Sequence, residues 1–117
     1  MSDNSFDNLA GLTSFVRAAD TRSFVAAGRL LGISASAVGK NVAKLEAQLG
    51  VRLFHRTTRH LSLTEDGQAT YAILGLMNEG IELGEIARRM VDRFPDHFAT
   101  QSEALVQIAN LSGKYSG

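Results

Sequence analysis

The residues best suited to chemistry lie between positions 34 and 60. Ser34, Ser36, Lys40, Asn41 and Lys44 bring hydroxyl, amide and ammonium groups to the opening turns of one helix, with the small residues Ala35, Ala37 and Gly39 between them. Such a helix end suits the major groove of duplex DNA, where donors and acceptors read base edges and alanine methyls can meet thymine. About fifteen residues on, Arg56-Thr57-Thr58-Arg59 forms a polar tip between two short alternating runs, a pattern suited to phosphate or minor-groove contact.

Charge placement supports a polyanionic partner. The 117-residue chain has 12 Lys+Arg against 12 Asp+Glu, a neutral sum that taken whole argues against nucleic acid. Its distribution is uneven. From Arg29 to His60 the basic residues are Arg29, Lys40, Lys44, Arg52, Arg56 and Arg59 and the only acid is Glu46, a net +5. Residues 67–117 carry a net −2. Arg52 is also placed to pair with Glu46 and lock the polar tip to the helix before it.

Several function classes are excluded. With no cysteine there is no disulfide framework, thiolate metal site or thiol nucleophile. His55, His60 and His97 do not have metal-ligand spacing. No nucleophile–base pair or phosphate-cradling glycine loop is visible, so we expect no catalytic residues, metal or cofactor and no enzyme. No window approaches 18 consecutive apolar residues, and the polar N-terminus has no signal-peptide pattern, so the expected location is the cytoplasm, on the nucleoid.

The positioning elements follow from periodicity. Leu9, Leu12, Phe15, Val16 and Ala19 recur at helical spacing over about 7–19. Ser23 caps a short second helix that ends at Gly32. Ser34 caps a third, running to about Leu49 with Gly50 as its stop. Residues 51–63 alternate polar and apolar, predicting a two-stranded hairpin. Thr64 caps a fourth, long helix extending toward Arg93, in which Gly75, Gly80 and Gly84 are interruptions needing support from packing. Thr100-Gln101-Ser102-Glu103 matches a capping box for a last short helix. Two short helices joined by Gly32-Ile33 have helix-turn-helix spacing, and a hairpin directly after makes the motif winged. The predicted class is mainly α: a winged helix-turn-helix over 1–66, a linker helix over 67–94 and a short helical segment over 95–117.

The long helix also predicts a partner. Ile73, Met77, Ile81, Ile86, Met90 and Phe94 form a stripe along about 28 residues, a rod of roughly 40 Å that a small winged domain cannot cover. A second copy is the simplest cover, so a homodimer through these residues is expected.

The residues themselves resemble a known family. Leu12-Thr-Ser-Phe15, Ser23-Phe24-x-Ala26-Ala27, Leu31-Gly32-Ile33-Ser34, Ser36-Ala37-Val38, Leu45-Glu46, Leu49-Gly50-Val51-Arg52-Leu53-Phe54-x-Arg56-Thr57-Thr58-Arg59 and Leu63-Thr64-x-x-Gly67 look like the DNA-binding domain of LysR-type transcriptional regulators, over about residues 8–72. The resemblance implies a winged helix-turn-helix, a dimerising linker helix, double-stranded DNA as partner and transcriptional regulation. It places Ser34, Ala35, Ser36, Gly39 and Lys40 at the groove and Arg56, Thr57 and Arg59 on the wing. Ala35 and Gly39 depart from the family's usual hydrogen-bonding side chains. Nothing in 95–117 resembles the family's effector domain, so no small-molecule inducer is expected to act on this chain. The alternative reading is a truncated regulator that forms mixed dimers with full-length relatives, with Gly28, Ala35 and Gly39 as signs of weakened DNA binding.

Overall fold

The computed structural model describes residues 4–56 and 61–116. Its elements are α1 (Asn4–Thr21), α2 (Phe24–Leu31), α3 (Ala35–Leu49), β1 (Phe54–Arg56), β2 (Leu61–Leu63), α4 (Glu65–Asn78), α5 (Leu83–Arg93) and α6 (Gln101–Ser116). The first five, with α4, form the winged helix-turn-helix that the sequence predicts. β1 and β2 pair antiparallel, Phe54 opposite Leu63 and Arg56 opposite Leu61. No helix among the described residues is long and apolar enough to cross a membrane.

Local chemistry sets the helix ends. Ser23 Oγ accepts from Ala26 N, Ser34 Oγ from Ala37 N at 3.0 Å, and Thr64 Oγ1 from Gly67 N at 2.9 Å, each satisfying a first-turn donor that has no partner within its helix. Gly32 (φ +73) and Gly50 (φ +74) end α2 and α3 in the left-handed conformation that glycine adopts without steric cost. The turn between α2 and α3 is tight: a Cβ at Gly28 would lie 2.4 Å from the carbonyl oxygen of Ile33. Gly28 is thus a requirement of the helix-turn-helix, and it no longer speaks for weakened DNA binding.

One core joins the halves. Phe15 and Leu12 of α1, Val38, Val42 and Leu45 of α3, Leu53 and Phe54 at the wing and Ile73 of α4 are buried together with Ile86, Met90, Ile108 and Leu111. The Phe15 and Phe54 rings lie 5.5 Å apart, and Phe24 meets Phe54 edge-on at 6.1 Å.

The C-terminal half departs from the expected rod. The predicted helix over 67–94 is two helices, because Gly80 (φ +80) ends α4. Gly80 N donates to Met77 O at 3.0 Å and Ile81 N to Leu76 O at 3.1 Å, the paired bonds of a Schellman stop. The chain turns through Ile81 and Glu82, and α5 packs on α4 and α6 while α6 packs on α1. Consequently Ile73, Ile86 and Met90 are fully buried and Phe94 nearly so within a single chain, with Met77 and Ile81 half-buried. The cover expected from a second copy is supplied by α5 and α6, and α6 is a 16-residue helix rather than a short appendage. At its start Glu103 N donates to Thr100 Oγ1, while the Glu103 carboxylate accepts from Ala99 N instead of completing the box at Thr100. His97 Nε2 lies 3.0 Å from Asp66 Oδ1, tying the α5–α6 connection to the first turn of α4.

Candidate nucleic-acid interface

The α2–α3 turn sets one side of α3 against α1 and α2 and leaves the other open. Val38, Val42, Leu45 and Glu46 face inward. Ser36, Lys40, Ala43, Lys44 and Ala47 are exposed at offsets of three and four residues, so they share one stripe, and Ser34 is exposed at its head. Of the predicted groove residues this stripe unites Ser34, Ser36, Lys40 and Lys44. Ala35, Ala37 and Gly39 flank it, half-buried. A Cβ at Gly39 would sit 3.4 Å from the Phe24 ring, so this position borders α2 and not only the groove.

Asn41 does not join the stripe. Its Nδ2 donates to Ser14 Oγ at 3.0 Å, and Ser14 is buried in α1. In the structure the amide of Asn41, predicted as a DNA contact, ties α3 to α1. Helical phase puts Asn41 at the border of the packed face, next to Val42 and three residues after Val38, both inward-facing. The same phase identifies Ala43 and Ala47, which sequence reading passed over, as the small residues beside the lysines.

The wing is anchored to the end of α3 by Glu46. This carboxylate is only 6% exposed, yet Oε2 accepts from Leu53 N at 2.8 Å and Phe54 N at 3.3 Å, and Oε1 accepts from Arg56 at 2.8 Å. Arg52, 65% exposed, is more distant, with Nε 3.9 Å from Oε2. The expected Arg52–Glu46 lock is thus made chiefly by Arg56 and the wing backbone. Arg56, predicted as a DNA contact, is 35% exposed, turned onto Glu46, and lies 6.0 Å from the Phe24 ring centroid. On the far side of the wing Thr64 Oγ1 donates to Arg52 O at 2.6 Å. Thr57, Thr58 and Arg59 of the predicted wing tip lie outside the described residues.

A basic, hydrogen-bonding helix face next to a wing is an arrangement for binding a duplex. The profile of the lysR family of bacterial regulatory helix-turn-helix proteins matches residues 9–68, and the chain belongs to this family. It is 46% identical over 65 residues to the HTH-type transcriptional repressor PA14_22550 of Pseudomonas aeruginosa, covering 56% of this chain and 20% of that protein. It is 33% identical over 104 residues to the HTH-type transcriptional regulator CrgA of Neisseria meningitidis serogroup B, covering 89% of this chain and 35% of that one. The chain therefore spans about a fifth to a third of these relatives. Among solved structures it is similar to the CbnR_DBD–DNA complex, with a TM-score of 0.55 and 29% identity over 74% of this chain and 93% of that chain.

Proposed function

We propose that this protein is a sequence-specific regulator of transcription that binds double-stranded DNA as a homodimer, with α3 in the major groove and the wing on the flanking backbone. The carrying observation is the exposed stripe of Ser34, Ser36, Lys40, Ala43, Lys44 and Ala47 in the +5 window of the sequence. The lysines and Arg52 supply electrostatic docking, which releases counterions and is salt-sensitive. The serine hydroxyls and Lys40 then meet base edges, while the small residues Ala43 and Ala47 of the stripe, and Ala37 flanking it, allow close approach and methyl contact. The site of action is the cytoplasm, on the nucleoid.

The second copy docks against α4. From Gly67 to Asn78 this helix carries no charged residue, although Gln68, Tyr71, Gly75 and Asn78 are exposed. Its outer face borders a groove of about 540 Å³ with Leu12, Val16, Leu74 and Met77 in its walls. Gly75 has open space where a Cβ would stand, which lets a neighbouring helix approach closely.

Selection from a random duplex library, followed by anisotropy titration at several salt concentrations and by mass measurement of free protein and complex, tests both parts. The expected result is one two-fold-symmetric site, binding that weakens with salt, and two chains per duplex. No binding at low salt, or binding indifferent to salt, removes the DNA reading. One chain per duplex removes the homodimer.

A further inference from the structure

Glu46 is the only acid between Arg29 and His60, and it is buried in the last turn of a helix whose exposed side is basic. That is an adverse place for a carboxylate, because the carbonyl end of a helix repels negative charge. What offsets the cost is a set of donors that come from the wing: the Leu53 and Phe54 backbone amides and the Arg56 guanidinium. These contacts join the last turn of α3 to the residues that open β1. Beside the core packing of Phe54 on Phe15 and Phe24, this one side chain supplies the polar tie between the two bodies that must meet one duplex together. The same contacts turn Arg56 inward, while Arg52, at the long end of ion-pair distance from Glu46, stays largely exposed at the wing's base.

From this geometry we infer that Glu46 is the positioning residue of the interface: it sets the wing against α3 so that both reach DNA at once, and it holds Arg56 off the phosphates. The inference rests on the proposed DNA-binding reading and adds a residue that touches no DNA itself. Its loss therefore has a directional signature. Removing the side chain releases the wing but leaves the groove face of α3 intact. Replacing it by glutamine keeps an oxygen acceptor for the wing amides and frees Arg56 to find a phosphate.

The experiment uses the full chain and a duplex selected by the wild type, with hydroxyl-radical footprinting for the wing, base-modification interference for α3, and the salt slope of binding. Glu46→Ala is expected to lose the wing footprint and keep the major-groove interference pattern, with affinity down about tenfold or more and a slope shallower by about one phosphate contact. Glu46→Gln is expected to restore the wing footprint and to steepen the slope beyond wild type by about one contact. Glu46→Ala binding with the wild-type footprint, or losing wing and groove contacts in equal measure, overturns the inference. Should Glu46→Ala fail to fold by circular dichroism, Glu46→Gln decides: a slope no steeper than wild type overturns it. Failure of the wild type to bind any duplex would instead overturn the DNA-binding reading, so the two failures are distinguishable.

Discussion

The ends of α3 and α4 stop in the same way and lead to opposite outcomes. Gly50 and Gly80 both take positive φ, and each is followed by a β-branched apolar residue, Val51 or Ile81, whose amide reaches back into the helix. After Gly50 the chain becomes extended, because a buried carboxylate on α3 collects the next backbone amides and ties down a strand. After Gly80 no such anchor follows: the neighbouring carboxylates Glu79 and Glu82 are exposed, and the chain starts another helix that folds back to be buried. The glycine ends the helix, and the side chains around it decide where the chain goes next. The half before Thr64 presents an interface, whereas the half after it spends its most apolar residues on the chain's own core.

The sharpest test of that contrast is Met90→Ala. Met90 is fully buried in α5, so its truncation is expected to cost about 2–5 kcal/mol in urea unfolding, by the same amount at low and high protein concentration. A loss that appears only at concentrations where two chains associate would return Met90 to a two-chain interface. Gly28→Ala comes next, with an expected cost of about 1–3 kcal/mol and weaker duplex binding, since the added methyl meets the Ile33 carbonyl. Gly75→Ala, in open space on α4, is the matched control and should gain about 0.5–1 kcal/mol in thermal unfolding while weakening any pairing through that face.

Smaller effects sharpen the comparison further. Gly80→Ala should cost about 1–2 kcal/mol, because alanine resists the left-handed conformation. Amide exchange should show the loss in α5 and α6 and spare α3. Ser34→Ala removes a cap worth about 1 kcal/mol, whereas Ser34→Asp preserves capping and places a negative charge on the groove face. Unchanged thermal stability with weaker duplex binding in Ser34→Asp would separate the two roles of this serine; unchanged binding would confine it to capping. The smallest effect is at Tyr71, whose hydroxyl donates to Asp20. That hydrogen bond, followed by burial and the Asp20 charge, holds the phenol above its ordinary range. The folded state therefore favours the protonated phenol. The added stability is fully present below the unfolded value of about 10 and is lost as pH rises through the folded value. Tyrosinate absorbance of wild type minus Tyr71→Phe should show that late titration, with a stability difference under about 1 kcal/mol at neutral pH.

Most of the winged half was legible because its signals are local. Ser23, Ser34 and Thr64 cap helices through amides three residues away, and the polar and apolar alternation of 51–63 marks the two strands of the hairpin, although not what anchors them. Asn41 and Glu46 were not legible as what they are. A polar residue on a helix reads equally well as a surface contact or as a tie to a neighbour, and only the positions of Ser14 on α1 and of the Leu53 amide reveal the ties. The break at Gly80 had a signal, glycine followed by a β-branched residue as at Gly32-Ile33 and Gly50-Val51, but the apolar stripe running past it favoured one continuous helix.

By itself, then, the sequence determined the winged helix-turn-helix, its caps and stops, the basic window and the family, because each depends on neighbours along the chain or on residue type alone. The tertiary structure decided which side of α3 faces outward, that Glu46 and Arg56 bind each other, and that Ile86 and Met90 are covered in cis. Those outcomes depend on which surfaces meet across long stretches of chain. Apolar periodicity states that a face must be buried; the direction taken after Gly80 determines what buries it.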